Sequence, residues 1–327
     1  RISLYAYDFW RPAPWITLIG GVSWDRIDHP DNFRNPPVND RQRLDQRVSG
    51  KAGFVLNPSR WFQVRGAFTQ GIGGVTFDES VRLEPVQIAG FNQSYRTILS
   101  ESLAGSVETP RFQSWGLSFE GSLPTRTWWG ITGNVIQQEV NRTIGSFIGY
   151  DSGVFPISPA YFPGSTSQSL DYREASLQGT VNQLVGRQLA LGALYRVTQS
   201  ELHTLYPDLV QADVPGGDVQ DRAVLHELGF SVNWNSPRGF FARLEANWFM
   251  QNLRDDPRGL PAGSSSRSGD KFWQFNAFAG YRFNRNLSEI SVGIFNIGDQ
   301  GYHLSALSPF YDLARERTFV LRCRLSF

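Results

Sequence analysis

Short stretches in which apolar and polar residues alternate recur from one end of the chain to the other. In the stretch from Trp273 to Phe283, every second residue is apolar, while Gln274, Asn276 and Arg282 lie between them. A period of two places successive side chains on opposite faces of a β-strand. About thirteen such stretches occur, without a convincing amphipathic helix, so an all-β fold is predicted.

The connections between these stretches alternate between short turns and long loops. Short turns are predicted at Asn57–Arg60 and Pro124–Arg126, whereas the predicted loops 71–110 and 141–170 are long. Outer-membrane barrels have short turns on one rim and long loops on the other. The pattern predicts that residues 1–327 form the C-terminal portion of a transmembrane antiparallel up-and-down β-barrel.

Composition is compatible with this prediction and excludes other classes. The mean hydropathy of −0.31 does not argue against a membrane barrel, because half of each barrel strand is polar. There is no apolar run of about 18 residues that would predict a transmembrane helix. The formal net charge is +1, and lysine occurs only at Lys51 and Lys271, so no nucleic-acid partner is predicted.

Charged residues stand in the middle of several alternating stretches, on the polar side. If the sheet closes into a barrel, these residues face the lumen and form a hydrated ion-pair lattice or a selectivity path for a polar solute. The predicted lumenal residues are Arg65, Glu120, Arg196, Arg243, Glu245, Arg282, Arg322 and Arg324. Periodicity alone leaves a soluble sandwich or a lipocalin-type barrel open.

Tryptophans at the ends of the stretches favour the membrane. Their amphipathic rings suit the interface between hydrocarbon and headgroups. One predicted row lies beside the short turns and comprises Trp10, Trp15, Trp61, Trp128, Trp129 and Trp234; the other lies towards the long loops and comprises Trp24, Trp115, Trp248 and Trp273.

The last stretch ends on an aromatic residue, a recurrent feature of bacterial outer-membrane barrels. Its apolar positions include Phe319, Leu321, Leu325 and Phe327. With Phe327 at the periplasmic rim, the short turns are periplasmic and the long loops extracellular. An odd strand count predicts that further strands precede Arg1, because single-chain bacterial barrels normally have even counts.

Three segments resemble TonB-dependent receptors. Gly293–Tyr302 resembles the motif of their penultimate strand, and Arg315–Phe319 resembles the entry to their last strand. Glu108–Trp115 loosely resembles the entry to a mid-barrel strand. The resemblance implies a barrel of about 22 strands with an upstream plug, and energised uptake of a scarce solute across the bacterial outer membrane. It also implies TonB-type coupling as a partner.

An alternative remains open. The order of turns also resembles barrels fused behind tetratricopeptide repeats, for which the expected role is a structural anchor or assembly barrel carrying an upstream periplasmic domain. The transporter and the anchor hypotheses both imply outer-membrane lipid and the barrel-assembly machinery as partners. There is no Gly-x-Ser-x-Gly or His-Glu-x-x-His motif, so no catalytic residue, cofactor or metal site is predicted, and the protein is not expected to be an enzyme.

Overall fold

The computed structural model describes residues 1–30, 40–73, 84–93, 109–150, 160–209, 215–254, 269–283, 288–308 and 313–325. The strands are β1 (Ile2–Ala13), β2 (Ile16–Pro30), β3 (Gln42–Ser59), β4 (Phe62–Ile72), β5 (Gln87–Ile88), β6 (Phe91–Asn92), β7 (Arg111–Leu123), β8 (Thr127–Tyr150), β9 (Ala160–Val185), β10 (Leu189–Leu205), β11 (Asp218–Asn235), β12 (Phe240–Arg254), β13 (Lys271–Phe283), β14 (Ser288–Phe295) and β15 (Thr318–Arg324). A single 3-10 turn, Pro215–Gly217, is the helical structure within these ranges. The described residues contain no helix with the length and hydropathy needed to cross a bilayer.

Thirteen strands form one sheet in which each strand pairs with its neighbours along the chain. The order is β1-β2-β3-β4-β7 and onwards through β15, while β5 and β6 pair only with each other. All pairs are antiparallel; β7–β8 and β10–β11 are two of them. The predicted up-and-down sheet and its strand number are therefore confirmed. Within the described ranges β1 and β15 each have one neighbour, and the sheet is not closed.

The register separates an apolar face from a polar face across the whole sheet. Val64 lies opposite Phe119, and Phe119 opposite Ile131; these residues belong to the apolar face. Arg65 lies opposite Ser118 on the polar face. A one-residue slip would exchange the faces, so the alternation within the apolar band holds the strands in register.

Burial of the two faces is the reverse of a soluble protein. On the apolar face Leu177 is 53% exposed and Ile131 is 48% exposed, whereas Ser118 on the polar face is 1% exposed. A soluble monomer rarely leaves a continuous apolar surface of this size in water. An apolar outer face with a polar interior is the arrangement of membrane barrels.

The apolar band has a height suited to a bilayer. On β7 it runs over nine residues from Trp115 to Leu123, and Gln113 and Arg111 follow towards the long loop. At about 3.3 Å per residue and a tilt of about 40°, nine residues cover roughly 20 Å, close to the ~25 Å band of outer-membrane barrels.

The predicted loop 141–170 is mostly strand, which corrects the sequence prediction. β8 continues to Tyr150 and β9 begins at Ala160, so the two strands form a long ribbon beyond the apolar band. Both faces of this ribbon carry polar groups. Arg142 donates to Gln168 at 2.6 Å on one face, and Asn141 lies opposite Ser169 on the other. Where both faces mix polar and apolar residues, the regular alternation that identifies a strand is absent.

Candidate functional site

The polar face brings most of the predicted charged residues into ion pairs. Arg65 of β4 contacts Glu120 of β7, and Ser118 donates to Glu120 at 2.9 Å. Arg196 of β10 lies 3.3 Å from Glu227 of β11 and bonds Gln178 of β9 through two of its nitrogens. These contacts join neighbouring strands across the polar face; that this face lines a lumen stays a prediction.

A second group lies on β12 to β14. Arg282 is 3.0 Å from Glu289, bonds Asn235 at 2.8 Å and covers the Phe241 ring with its guanidinium carbon 4.1 Å from the centroid. Arg243 and Glu245 are neighbours on one strand, 2.5 Å apart. Charges that are partly exposed in this way contribute little stability, typically 0–1 kcal/mol each, so their effect is mainly on the electrostatic character of the face.

The last strand adds two arginines to the same face. In the β14–β15 register, Arg322 lies opposite Ser291 and Arg324 opposite Glu289. Arg322 lines a cavity of about 500 Å³ together with Arg243 and Arg282. Three guanidiniums against two carboxylates give this cavity an excess of positive charge, which favours anionic groups.

A second cavity, of about 680 Å³, lies on the polar face beside the short turns. Trp61 and Trp128 stand at its edge, and Gln63, Gln178 and Asn182 supply amide groups. The register pairs Trp128 with Ser122 and Asn182, so this tryptophan shares the polar face rather than the outer surface. Sequence position beside a turn could not distinguish these two orientations.

The other predicted girdle residues are distributed as follows. The apolar face carries Trp24, Trp115, Trp129, Trp248 and Trp273, and, near the short turns, Trp10 and Trp234. The remaining two, Trp15 and Trp61, lie in or beside turns. Among these, Trp10 is 60% exposed and Trp273 is 41% exposed. Their interfacial role stays a prediction.

The terminal signature falls largely on the apolar face. Phe319 and Leu321 lie opposite Ile294 and Val292 and are each 72% exposed. Leu325 follows the strand and is also exposed, whereas Phe327 lies outside the described residues. The placement at the rim of the aromatic end of the chain stays a prediction.

One long connection returns to the polar face as a small hairpin, Glu84–Gln93, called here the inner hairpin. Its Ile88 belongs to a buried cluster with Ile19 of β2. Glu84 contacts Lys51 in an ion pair whose side chains are 1% and 6% exposed, with Lys51 the less exposed. The hairpin therefore occupies space on the inner side of β2 to β7.

A second connection, the cover segment (296–308 and 313–317), lies over the inner side of β8 to β13. Tyr302 stacks on Phe272 with ring centroids 5.0 Å apart, and Ser305 exchanges hydrogen bonds with the Gln251 amide at 2.7 and 3.0 Å. Tyr172 donates to the Leu307 carbonyl at 3.0 Å. The inner hairpin and the cover segment therefore cover different parts of the polar face.

Charged residues continue beyond the apolar band on the outer surface. Asp171 lies opposite His203, and burial followed by the nearby Glu139 carboxylate raises the pKa of Asp171. Asp208 accepts hydrogen bonds from the Ser167 backbone and side chain, which lower its pKa. In the part of the chain that the structure describes, no group of three metal-ligating side chains forms a metal site.

For several charged residues of the polar face, the sequence predicts the face but not the ion-pair partner. Glu227 and Glu289 follow the polar phase of their strands, so alternation marks their face but not their arginine partners. The Lys51–Glu84 pair could not be found, because Glu84 lies in a connection whose path depends on tertiary packing.

Comparisons with known proteins add information on the fold. No model of a known family matches the sequence, and no curated protein matches it. A crystal structure of the ferric-catecholate import receptor Fiu from E. coli K12, in its closed form, is similar with a TM-score of 0.51 at 8% identity over 90% of this chain and 47% of the receptor chain. The open form gives a TM-score of 0.34 at 12% identity, covering 99% and 62%, which is too low for an argument.

The chain spans about half the length of the receptor chain it matches in the closed form. The likeness concerns the fold alone, because identity is low. It agrees with the antiparallel up-and-down sheet described above, so the chain has an all-β, barrel-type fold similar to part of that receptor's.

Proposed function

We propose that this chain forms the wall of an outer-membrane transporter that takes up a scarce polar solute, with energy supplied through TonB-type coupling. The observation that carries the proposal is the polar face: arginine–carboxylate pairs and open cavities lie behind an exposed apolar band of bilayer height. A structural anchor requires the apolar band but not a charged and hydrated interior.

The positive cavity beside Arg243, Arg282 and Arg322 suits an anionic or multiply hydroxylated solute. Guanidinium groups bind carboxylate and catecholate oxygens with charge-assisted hydrogen bonds. Ferric catecholate, the solute named for the receptor of similar fold, is therefore the first probe.

The test is solute accumulation in cells. A deletion strain of the native host is complemented with the full-length protein, and uptake of labelled ferric catecholate and of other scarce nutrients is measured at limiting concentration, with and without a protonophore. We expect uptake of one solute to depend on both the gene and the proton gradient.

A matched pair of variants tests whether the cavity takes part. Arg322→Gln removes a charge from the positive cavity, whereas Arg254→Gln removes one at the long-loop end of β12. Reduced uptake for the first alone supports the proposal. If the deletion strain accumulates every probe normally and instead loses envelope integrity, the transport proposal is wrong and an anchoring role takes its place.

A further inference from the structure

The inner hairpin is too small to hold its own position. β5 and β6 contribute two residues each, and Ala89 and Gly90 form the turn between them with φ of 48° and 86°. Two consecutive positive φ values at a two-residue turn are typical of a type I′ hairpin. An isolated hairpin of two strands is at best marginally stable in water. Contacts with the 13-stranded sheet, called here the wall, therefore decide where the inner hairpin lies.

The wall provides a groove for it. Gly53, Ala67 and Gly116 lie side by side on β3, β4 and β7, forming a row of small residues on the polar face. A Cβ added to Gly53 would come 2.6 Å from Ile88, and one added to Gly116 would come 2.2 Å from the Phe91 ring. Ile88 and Phe91 of the hairpin therefore occupy space that a larger residue at Gly53 or Gly116 would take.

Polar contacts complete the docking. Arg65 donates to the Ala89 carbonyl at 3.2 Å, while another of its nitrogens contacts Glu120 on the wall. The Tyr7 hydroxyl contacts Glu84 and lies 3.1 Å from the Gln93 side chain. Arg65 thus connects the tip of the hairpin to the ion-pair lattice of the wall.

We propose that the inner hairpin is a gate that alternates between this docked position and a released one, and that docking narrows the lumen. Its apolar anchorage consists of Ile88, Ala89 and Phe91, and its other described contacts are hydrogen bonds and an ion pair that water or a polar solute can replace. Few buried apolar contacts are typical of segments that open locally. The gate requires that the polar face lines a lumen but does not require energised uptake.

A reversible cross-link tests the gate directly. A Cβ on Gly53 would lie 3.2 Å from the Ala89 Cβ, close to the ~3.5–4.5 Å that a disulfide needs. Gly53→Cys with Ala89→Cys, in a Cys323→Ser background that also carries Ile88→Ala to make room for the new Cβ, would hold the hairpin on the wall when oxidised. Single-channel conductance of the full-length protein in a planar bilayer is recorded before and after reduction. We expect openings to be rare when oxidised and several-fold more frequent after reduction.

A second variant is designed to release the hairpin from the wall. Gly116→Val would displace Phe91 and raise the open fraction several-fold. Gly133→Val is its matched control, since Gly133 lies on the apolar face of the adjacent strand with its nearest heavy atom 3.9 Å from an added Cβ. Insertion of each variant is checked by heat-modifiable gel mobility.

Equal conductance of the oxidised and reduced double-cysteine protein would overturn the gate, whatever the fate of Gly116→Val, because that comparison is made within one folded protein. A clear redox difference in a protein that shows no energised uptake would support the gate while removing the transport proposal, so the two failures are distinguishable.

Discussion

Asn296, in the Gly293–Tyr302 motif, stabilises the connection between β14 and β15. Its side chain is fully buried, its amide donates to the carbonyls of Gln300 and Ala314, and its oxygen accepts from the Gln300 backbone at 2.8 Å. Its backbone also has φ of 50°, a left-handed conformation that asparagine tolerates better than most residues. The residue therefore holds the first turn of the cover segment against its return to β15.

Replacing Asn296 with Ala should destabilise the protein by about 2–3 kcal/mol, because buried backbone groups lose their partners. Asn296→Gly should cost roughly 1 kcal/mol less, since glycine adopts positive φ without a Cβ clash. Urea unfolding in lipid vesicles measures both values. Asn182→Ala, at an exposed position, is the control and should change stability by less than about 0.5 kcal/mol; equal costs for Ala and Gly would contradict the backbone part of the argument.

At the scale of elements, the long ribbons beyond the apolar band are connected to neighbouring loops by titratable groups. Asp208, after β10, accepts from the Ser167 backbone at 2.7 Å and from the Thr166 hydroxyl at 3.5 Å, which joins the β10–β11 connection to β9. These bonds favour the ionised carboxylate, and they lower its pKa.

This contact should be sensitive to acid. A lowered folded-state pKa means that the stabilisation is complete above the unfolded value, about 3.9, and is lost as pH falls through the folded pKa. Hydrogen exchange at the Ser167 amide should therefore show protection at neutral pH that disappears in strong acid. Asp208→Asn should reduce the protection at neutral pH and remove most of its dependence on pH; unchanged exchange in the variant would contradict the assignment.

Asp171, on the same outer surface, should show the opposite sign. Its pKa is raised by burial and by Glu139, so its protonated form is favoured in the folded protein. The corresponding stabilisation is present at low pH and is lost as pH rises through the folded pKa. Asp171→Asn should therefore increase thermal stability at neutral pH relative to the parent protein, with a smaller gain at pH 4, as measured by calorimetry in detergent.

At the scale of the whole molecule, the two faces of the sheet predict two different responses to charge. Leu244 is 56% exposed at the middle of the apolar band on β12, whereas Thr180 on β9 faces the cavities of the polar side. An arginine at the bilayer midplane of a barrel costs about 2–4 kcal/mol. Leu244→Arg should lower the free energy of unfolding in lipid by that amount, and Thr180→Arg should change it by less than about 1 kcal/mol.

Two outcomes would contradict the placement of the apolar face against hydrocarbon. If the protein remains monomeric without detergent, or if the two arginine variants have equal stability in lipid, the apolar face does not lie against hydrocarbon. The membrane assignment of the fold would then be wrong, because it depends on the apolar side chains being outside the sheet.

The sequence by itself determined the strands, their antiparallel order and the face of nearly every residue. Alternation is a local property, and short turns such as Pro124–Arg126 leave only neighbouring strands to pair, so Arg65, Glu120 and Arg196 could be placed on the polar face without coordinates. It could not detect the β8–β9 ribbon, where polar groups occur on both faces and the regular alternation of apolar residues ends.

Only the tertiary structure decided which charges meet and what covers the polar face. The inner hairpin and the cover segment lie far in sequence from the wall residues they contact, as with Glu84 on Lys51 and Leu307 on Tyr172. The path of the inner hairpin depends on small-residue recesses such as Gly53 and Gly116, which a periodic pattern records only as interruptions. Strand order follows from local chain geometry, whereas what covers the polar face depends on long-range packing between the connections and the sheet.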